Sequence, residues 1–251
     1  MQLAEIMPDV VSRRLELYRL SARLRPYGPC MVNELLASVE ESADVERIER
    51  LWTEMRPAFR KEPASAAKYA DRRYWLLLNI HRAAQLGLQS GPKLRIMDIG
   101  CGPGYFLAVA RALGHEVQGV DAPDSFQTPE ERRVYTELLG ALHCSQDVSP
   151  LLIERFVPLP FGEERYDLIT AFWICFNRHR QPDSWGVDEW RFFVEDALQY
   201  LRPGGRLLLE LNEDVNTFGE LRYYDQATLD YFRSLGSVDR QRILITPNPA
   251  A

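Results

Sequence analysis

Cysteine is scarce and scattered. Four occur in 251 residues, at Cys30, Cys101, Cys144 and Cys175, and no two form a Cys-x-x-Cys pair. This argues against both a zinc knuckle and a disulfide framework. The four histidines, His81, His115, His143 and His179, are as dispersed, so no metal is expected. Basic residues are outnumbered: 30 Lys and Arg stand against 36 Asp and Glu, a net charge of −6. A grip on a phosphate backbone needs a basic surface, so a nucleic-acid partner is not favoured. No run of about 18 apolar residues occurs, and the opening MQLAEIMPDVVSRR lacks the pattern of a secretory leader. The expectation is a cytoplasmic protein without a membrane span. Repeats and low-complexity tracts are absent too.

What is present divides in two. Residues 1–90 read as a helical cap. Asp9 suits a helix cap before Val11, Leu15, Tyr18 and Leu24, and Pro26, Gly28 and Pro29 break that helix. A second helix, Val45–Phe59, carries Ile48, Leu51, Trp52 and Met55 on one stripe. A third is expected over Ser65–Leu86, ahead of Gly87. From residue 91 to 251 the pattern alternates. Short apolar runs (LRIMDIG, EVQGVD, IERFV, YDLITAFWICF, RLLLELN) are separated by helix-like ones (FLAVARALG, TPEERRVYTELLGAL, DEWRFFVEDALQYL). Nearly continuous apolar strands alternating with helices indicate an α/β domain whose parallel sheet is covered by helices on both faces. Arg202–Gly205, RPGG, reads as a sharp helix-to-strand turn. Beyond it a helix near Gln226–Leu235 and one apolar run, RILIT, are expected, so the end of the sheet looks shortened.

The most informative segment is Met97–Phe106, MDIGCGPGYF, between an expected strand and an expected helix. Gly100, Gly102 and Gly104 allow a tight turn and a close approach to a ligand, and the helix behind them points free N–H groups at that space. A dinucleotide fingerprint G-x-G-x-x-G would need glycine at 105, where Tyr105 stands. The acid ahead of the loop, Asp98, would also repel a pyrophosphate. It suits a cationic ligand such as S-adenosylmethionine (SAM), which carries an ammonium and a sulfonium. Asp121 ends the next strand about 20 residues further on, where an acid can accept hydrogen bonds from both ribose hydroxyls.

Asp98-Ile-Gly-Cys-Gly-Pro-Gly104 resembles the first motif of class I SAM-dependent methyltransferases. Leu159-Pro160-Phe161, Tyr166-Asp167-Leu168-Ile169 and the segment LRPGGRLLLELN match later motifs in order, over about residues 94–212. The resemblance implies a Rossmann-like fold, SAM as methyl donor with S-adenosylhomocysteine as product, and no metal. It places the methionyl part of SAM on Asp98, Gly100, Cys101, Gly102 and Gly104, and the ribose on Asp121 beside Ala122. Relatives carry an acid at the end of the third strand to meet adenine. Here Arg155, Phe156 and Val157 stand there, which leaves Phe156 as either an adenine neighbour or ordinary core. Phe172 on the fourth strand and Tyr69 in the cap complete the expected cofactor set.

The end of the fourth strand faces the methyl group in such enzymes, and methyl transfer asks mainly for alignment and removal of a proton. His179 is the first candidate base, because imidazole titrates near neutrality. Asn177 suits a substrate hydroxyl, and Glu210, ending the fifth strand beside Asn212, is an alternative base. Asp183 and Trp185 stand near a substrate pocket in this reading, and Trp190 reads as helix core. Absence of an NPPY tetrapeptide argues against adenine or glutamine amide as acceptor. The stretch Cys175–His179 followed by tryptophans resembles bacterial methyltransferases associated with surface polysaccharides. The expected acceptor is therefore a small molecule or glycan, methylated at oxygen. A SAM-binding partner without catalysis, a protein or tRNA methyltransferase and an NAD-dependent oxidoreductase remain as alternatives, the last disfavoured by Tyr105.

Overall fold

The computed structural model describes residues 7–61, 66–122, 128–174, 185–212 and 225–247. Its contacts group the chain into two compact units. One gathers residues 1–93, 102–115 and 123–148, the other 94–101, 116–122 and 149–251.

The second unit is built on a seven-stranded sheet. Its strands are β1 (Arg95–Ile99), β2 (Glu116–Asp121), β3 (Val148–Pro150), β4 (Tyr166–Ile174), β5 (Leu201–Leu211), β6 (Gly236–Asp239) and β7 (Arg242–Ile245), in the order β3-β2-β1-β4-β5-β7-β6. Strands β2, β1, β4 and β5 run parallel, and β7 pairs antiparallel with both β5 and β6. The central strands are apolar because they are buried along almost their whole length: Ile96, Ile99, Leu168, Ile169, Ala171, Leu207, Leu208 and Leu209 are inaccessible. Chain order moves outward from β1 to β3 and then restarts at β4 on the other side of β1, which makes the β1/β4 boundary a topological switch point.

Helix α7 (Val187–Gln199) and helix α8 (Gln226–Leu235) belong to the same unit. Asp225 starts α8 by accepting a hydrogen bond from Thr228 N at 2.8 Å, and that backbone bond holds its carboxyl below the usual range. Trp190 of α7 is the largest fully buried side chain, with Trp185, Phe193 and Phe232 set edge-on around it. Trp185 thus belongs to the core rather than to a substrate pocket.

The first unit is helical: α1 (Met7–Leu24), α2 (Pro29–Ser42), α3 (Val45–Lys61), α4 (Arg72–Gln85), α5 (Tyr105–Ala112) and α6 (Pro129–Ala141). The stripe expected on α3 is buried at Ile48, Leu51 and Met55. Arg72 ties three helices together, pairing with Glu40 of α2 and, at 2.9 Å, with Glu49 of α3. Helix α6 opens on a reciprocal cap, Thr128 Oγ1 accepting from Glu131 N and Glu131 Oε2 from Thr128 N, with Pro129 in its first turn.

Several expectations need correction. Pro29 does not merely end a helix; it occupies the first turn of α2, where its missing N–H costs nothing. The helix expected over Ser65–Leu86 is a 3-10 turn, Ala66–Ala70, followed by α4, because Asp71 caps α4 by accepting from Tyr74 N. IERFV is not a strand: β3 lies earlier, and Phe156 has a left-handed φ of 58° and is 54% exposed. This overturns its reading as core. RPGG lies inside β5 as a bulge, Tyr166 pairing with Leu201 and Leu168 only with Arg206, and the sheet ends on a β6–β7 pair rather than one strand.

Candidate functional site

Strands β1 and β2 bring two acids to the carboxyl ends of neighbouring parallel strands. Asp98 is 2% exposed, and Asp121 is half-buried at the last residue of β2. The glycine turn is tied to the second acid's strand. Gly100 N and Cys101 N both donate to Val120 O, at 2.8 and 3.1 Å. Gly100 needs its φ of 70°, and a Cβ there would lie 3.0 Å from Ile174 Cγ2. Asp121 is oriented by its surroundings: its Oδ1 accepts from Ala122 N at 2.7 Å, and its carbonyl accepts from Leu151 N at 2.7 Å.

Asp98 is held out of water inside the sheet. Its Oδ1 accepts from the hydroxyl of Thr170, across the β1/β4 boundary, at 2.7 Å. A carboxylate taken out of water needs such donors. Thr170 went unnoticed in the sequence, although a threonine in the otherwise apolar run LITAFWI is a readable signal.

At the end of β4, Phe172 is buried and pairs in register with Glu210 of β5, itself buried. The register shifts between Phe172 and Ile174, and Trp173 between them takes a left-handed φ of 55°. Bulges of this kind re-aim side chains and gather near active sites. Asn212 braces this one: its Nδ2 donates to Trp173 O and to Ile174 O, both at 2.9 Å. Asn212→Leu removes both bonds at similar volume. It is expected to lower stability by about 1–2 kcal/mol, read as a lower urea midpoint at unchanged slope.

The rest of the loop belongs to the helical unit. Gly104 is the N-cap of α5 with φ 86°, and the space beside it is filled: a Cβ would lie 2.9 Å from Cys144 Cβ and 3.2 Å from Leu139 Cδ2. This glycine is required by packing within its unit. Gly102, at φ 56°, is less crowded, with Tyr135 Cε1 at 3.9 Å. Burial pushes the Cys144 thiol up to about 11. Tyr105, where a dinucleotide loop has its third glycine, donates its hydroxyl to Tyr69 O at 2.8 Å and stacks on Trp75; burial raises its phenol far above the ordinary value. The Tyr69 ring is half-buried against Trp75 and Tyr135.

Of the sequence-predicted residues, Asp98, Gly100, Cys101, Asp121 and Ala122 come together at the ends of β1 and β2, and Phe172 and Glu210 at the ends of β4 and β5. Phe156 sits on an exposed turn, with Phe192 edge-on at 5.8 Å. His179 and Asn177, like Asp183, lie outside the described residues. Among the described residues there is no cluster of His, Cys, Asp and Glu able to hold a metal, and no helix long and apolar enough to cross a membrane.

Solved structures similar to this chain include the glycopeptide N-methyltransferase MtfA (14% identity, 56% of this chain and 55% of that one, TM-score 0.39). They also include the CcbJ methyltransferase of Streptomyces caelestis (24%, 51% and 49%, TM-score 0.36) and the PH0226 protein of Pyrococcus horikoshii OT3 (15%, 69% and 90%, TM-score 0.45). The chain spans about half the length of MtfA and CcbJ. No curated protein sequence matches it. The sequence profile described as "Methyltransferase domain" matches residues 66–237, well over half of the chain and all of the strands from β1 to β5. With an α/β sheet of this order and an acid-and-glycine turn after its first strand, the chain belongs to the methyltransferase-domain family, as a class I SAM-dependent member.

Proposed function

We propose that this chain transfers the methyl group of SAM to an oxygen of a small-molecule or glycan acceptor. The observation that carries the cofactor half is the bonding of Gly100 and Cys101 to Val120, which sets the glycine turn against the strand whose last residue is Asp121. The residues fit the ligand: Asp121 offers a carboxylate for a ribose diol, and Asp98, two residues ahead of the glycine turn, offers one for the amino-acid end. SAM supplies a methyl group on a sulfonium, and its transfer leaves S-adenosylhomocysteine. Gly102, Gly104, Ala122, Phe172 and Tyr69 stay in the proposed cofactor set. Phe156 stays as an exposed aromatic for the adenine edge.

The oxygen acceptor rests on the absence of an NPPY tetrapeptide, and the glycan class on the resemblance of the segment after β4. MtfA is a glycopeptide N-methyltransferase and has been solved with SAM and with sinefungin, ligands of the kind this reading assigns here. His179 is the proposed base, with Asn177 orienting the acceptor hydroxyl and Glu210 as the alternative base. Turnover of His179→Gln and Glu210→Gln at saturating SAM separates them. The base variant loses turnover with an unchanged SAM affinity, and the other does not.

Calorimetric titration with SAM, with NADH as control, tests the cofactor. Methyl transfer from labelled SAM to a panel of glycosides, phenols and amines tests the acceptor. The expected result is SAM binding without NADH binding, and label on a hydroxyl. Folded protein that fails to bind millimolar SAM overturns the reading. Label on an amine, or only on protein or tRNA, overturns its acceptor half.

A further inference from the structure

We propose that Thr170 is a positioning residue of the cofactor site, acting on the amino-acid end of SAM through Asp98. The inference rests on the SAM reading above and adds to it a residue that the glycine-loop motif does not contain.

The geometry is specific. Asp98 sits on β1 with Gly119 of β2 and Thr170 of β4 as its register partners. Gly119 brings no side chain, so of these two only Thr170 offers a donor. Its hydroxyl has a single proton and two acceptors within reach, Asp98 Oδ1 at 2.7 Å and Met97 O at 3.4 Å. The shorter, charge-assisted bond takes it. Thr170 is fully inaccessible and Asp98 nearly so, and water cannot substitute for a lost donor there without opening the sheet.

The placement explains why a hydroxyl interrupts an otherwise apolar strand. Both residues stand at the β1/β4 switch point, where α/β sheets bind ligands beyond their carboxyl ends. Asp98 is two residues before Gly100, and the SAM reading gives its carboxylate to the amino-acid end of the ligand, so the donor that fixes that carboxylate bears on SAM rather than on the nucleoside alone. Valine at 170 would keep the volume and the β-branched shape and remove only the donor.

The experiment compares Thr170→Val and Thr170→Ser with the unaltered chain. Calorimetry uses three probes: SAM, S-adenosylhomocysteine and 5′-methylthioadenosine. The third shares the nucleoside but has no amino acid. Thr170→Val is expected to bind SAM and S-adenosylhomocysteine about tenfold more weakly and methylthioadenosine within about twofold of the unaltered chain. Thr170→Ser is expected to restore both losses. In an Asp98→Asn background, Thr170→Val should cost SAM affinity almost nothing more, because the pair acts as one unit. Equal weakening of all three probes would show a merely structural role and overturn the proposal. Unchanged SAM affinity in Thr170→Val would also overturn it while leaving the SAM reading intact. An unaltered chain that binds none of the three overturns the SAM reading and this inference together. Should Thr170→Val not fold, Thr170→Ser against Thr170→Ala, read with the same probes, carries the comparison.

Discussion

Asp121→Ala is expected to weaken SAM binding about 100-fold, and methylthioadenosine binding as much. A carboxylate facing a ribose diol accepts two hydrogen bonds, each worth about 1.5–3 kcal/mol when one partner is charged. Water entering the space left by alanine returns part of that, so about 3 kcal/mol, or two decades, is the net expectation. Asp121 also accepts from Ala122 N at 2.7 Å, which fixes the carboxylate before any ligand arrives and keeps the ordering cost of binding low. Asp121→Asn keeps the shape and one acceptor oxygen, so its loss is expected near tenfold. Calorimetry on the folded variants decides the matter. A loss below about threefold in Asp121→Ala would mean that the acid ending β2 meets no ribose.

Gly104→Ala is expected to cost about 2–5 kcal/mol of stability, a sizeable share of the ~5–15 kcal/mol that holds a typical domain. Two terms add. An L-residue forced to φ 86° is strained by about 1–2 kcal/mol. The new methyl would also stand 2.9 Å from Cys144 Cβ and 3.2 Å from its Sγ, an overpacking of about 1–3 kcal/mol. Gly162→Ala separates the terms: its φ is 59° and nothing lies within 4 Å of the added Cβ, so it should show strain alone, near 1 kcal/mol. Urea unfolding of the two variants gives the difference directly. Equal costs would mean that the α5 N-cap relaxes away from Cys144 and that Gly104 is needed only for its backbone angle.

The sheet was readable in outline because its parallel strands are buried along almost their whole length and must be apolar throughout. LRIMDIG, EVQGVD and YDLITAF each locate a real strand. Strand β6, GSVD, was not readable: it lies at the sheet edge and shows one apolar residue, Val238. IERFV misled for the opposite reason. Its apolar residues are not buried as a strand's would be: Phe156 and Val157 are exposed, and Ile153 is only partly buried. Pro29 was read as a stop because proline ends helices, although it opens them equally well. In the site, residue types announced Asp98 and Asp121. The pairing of Asp98 with Thr170 could not be read, because it depends on register between strands some 70 positions apart in the chain. The left-handed turn at Trp173 is likewise a product of the β4–β5 pairing and leaves no mark in the residue type.

The way the chain alternates between its two units bears on how it can be made. The helical unit includes 102–115 and 123–148, and the sheet unit takes the short segments between them. During synthesis the first 93 residues therefore emerge without α5 and α6, the partners that complete their packing. The strands β1 and β2 appear long before β4 and β5. The β1–β4 pairing at the centre of the sheet therefore waits until the later half of the chain is present. Such non-local assembly slows folding and lengthens the exposure of apolar strands to other chains. It follows that cutting the gene at the end of α4 would not release an autonomous catalytic module. The yield of soluble protein should depend on chaperones and on translation temperature more than the native stability alone suggests.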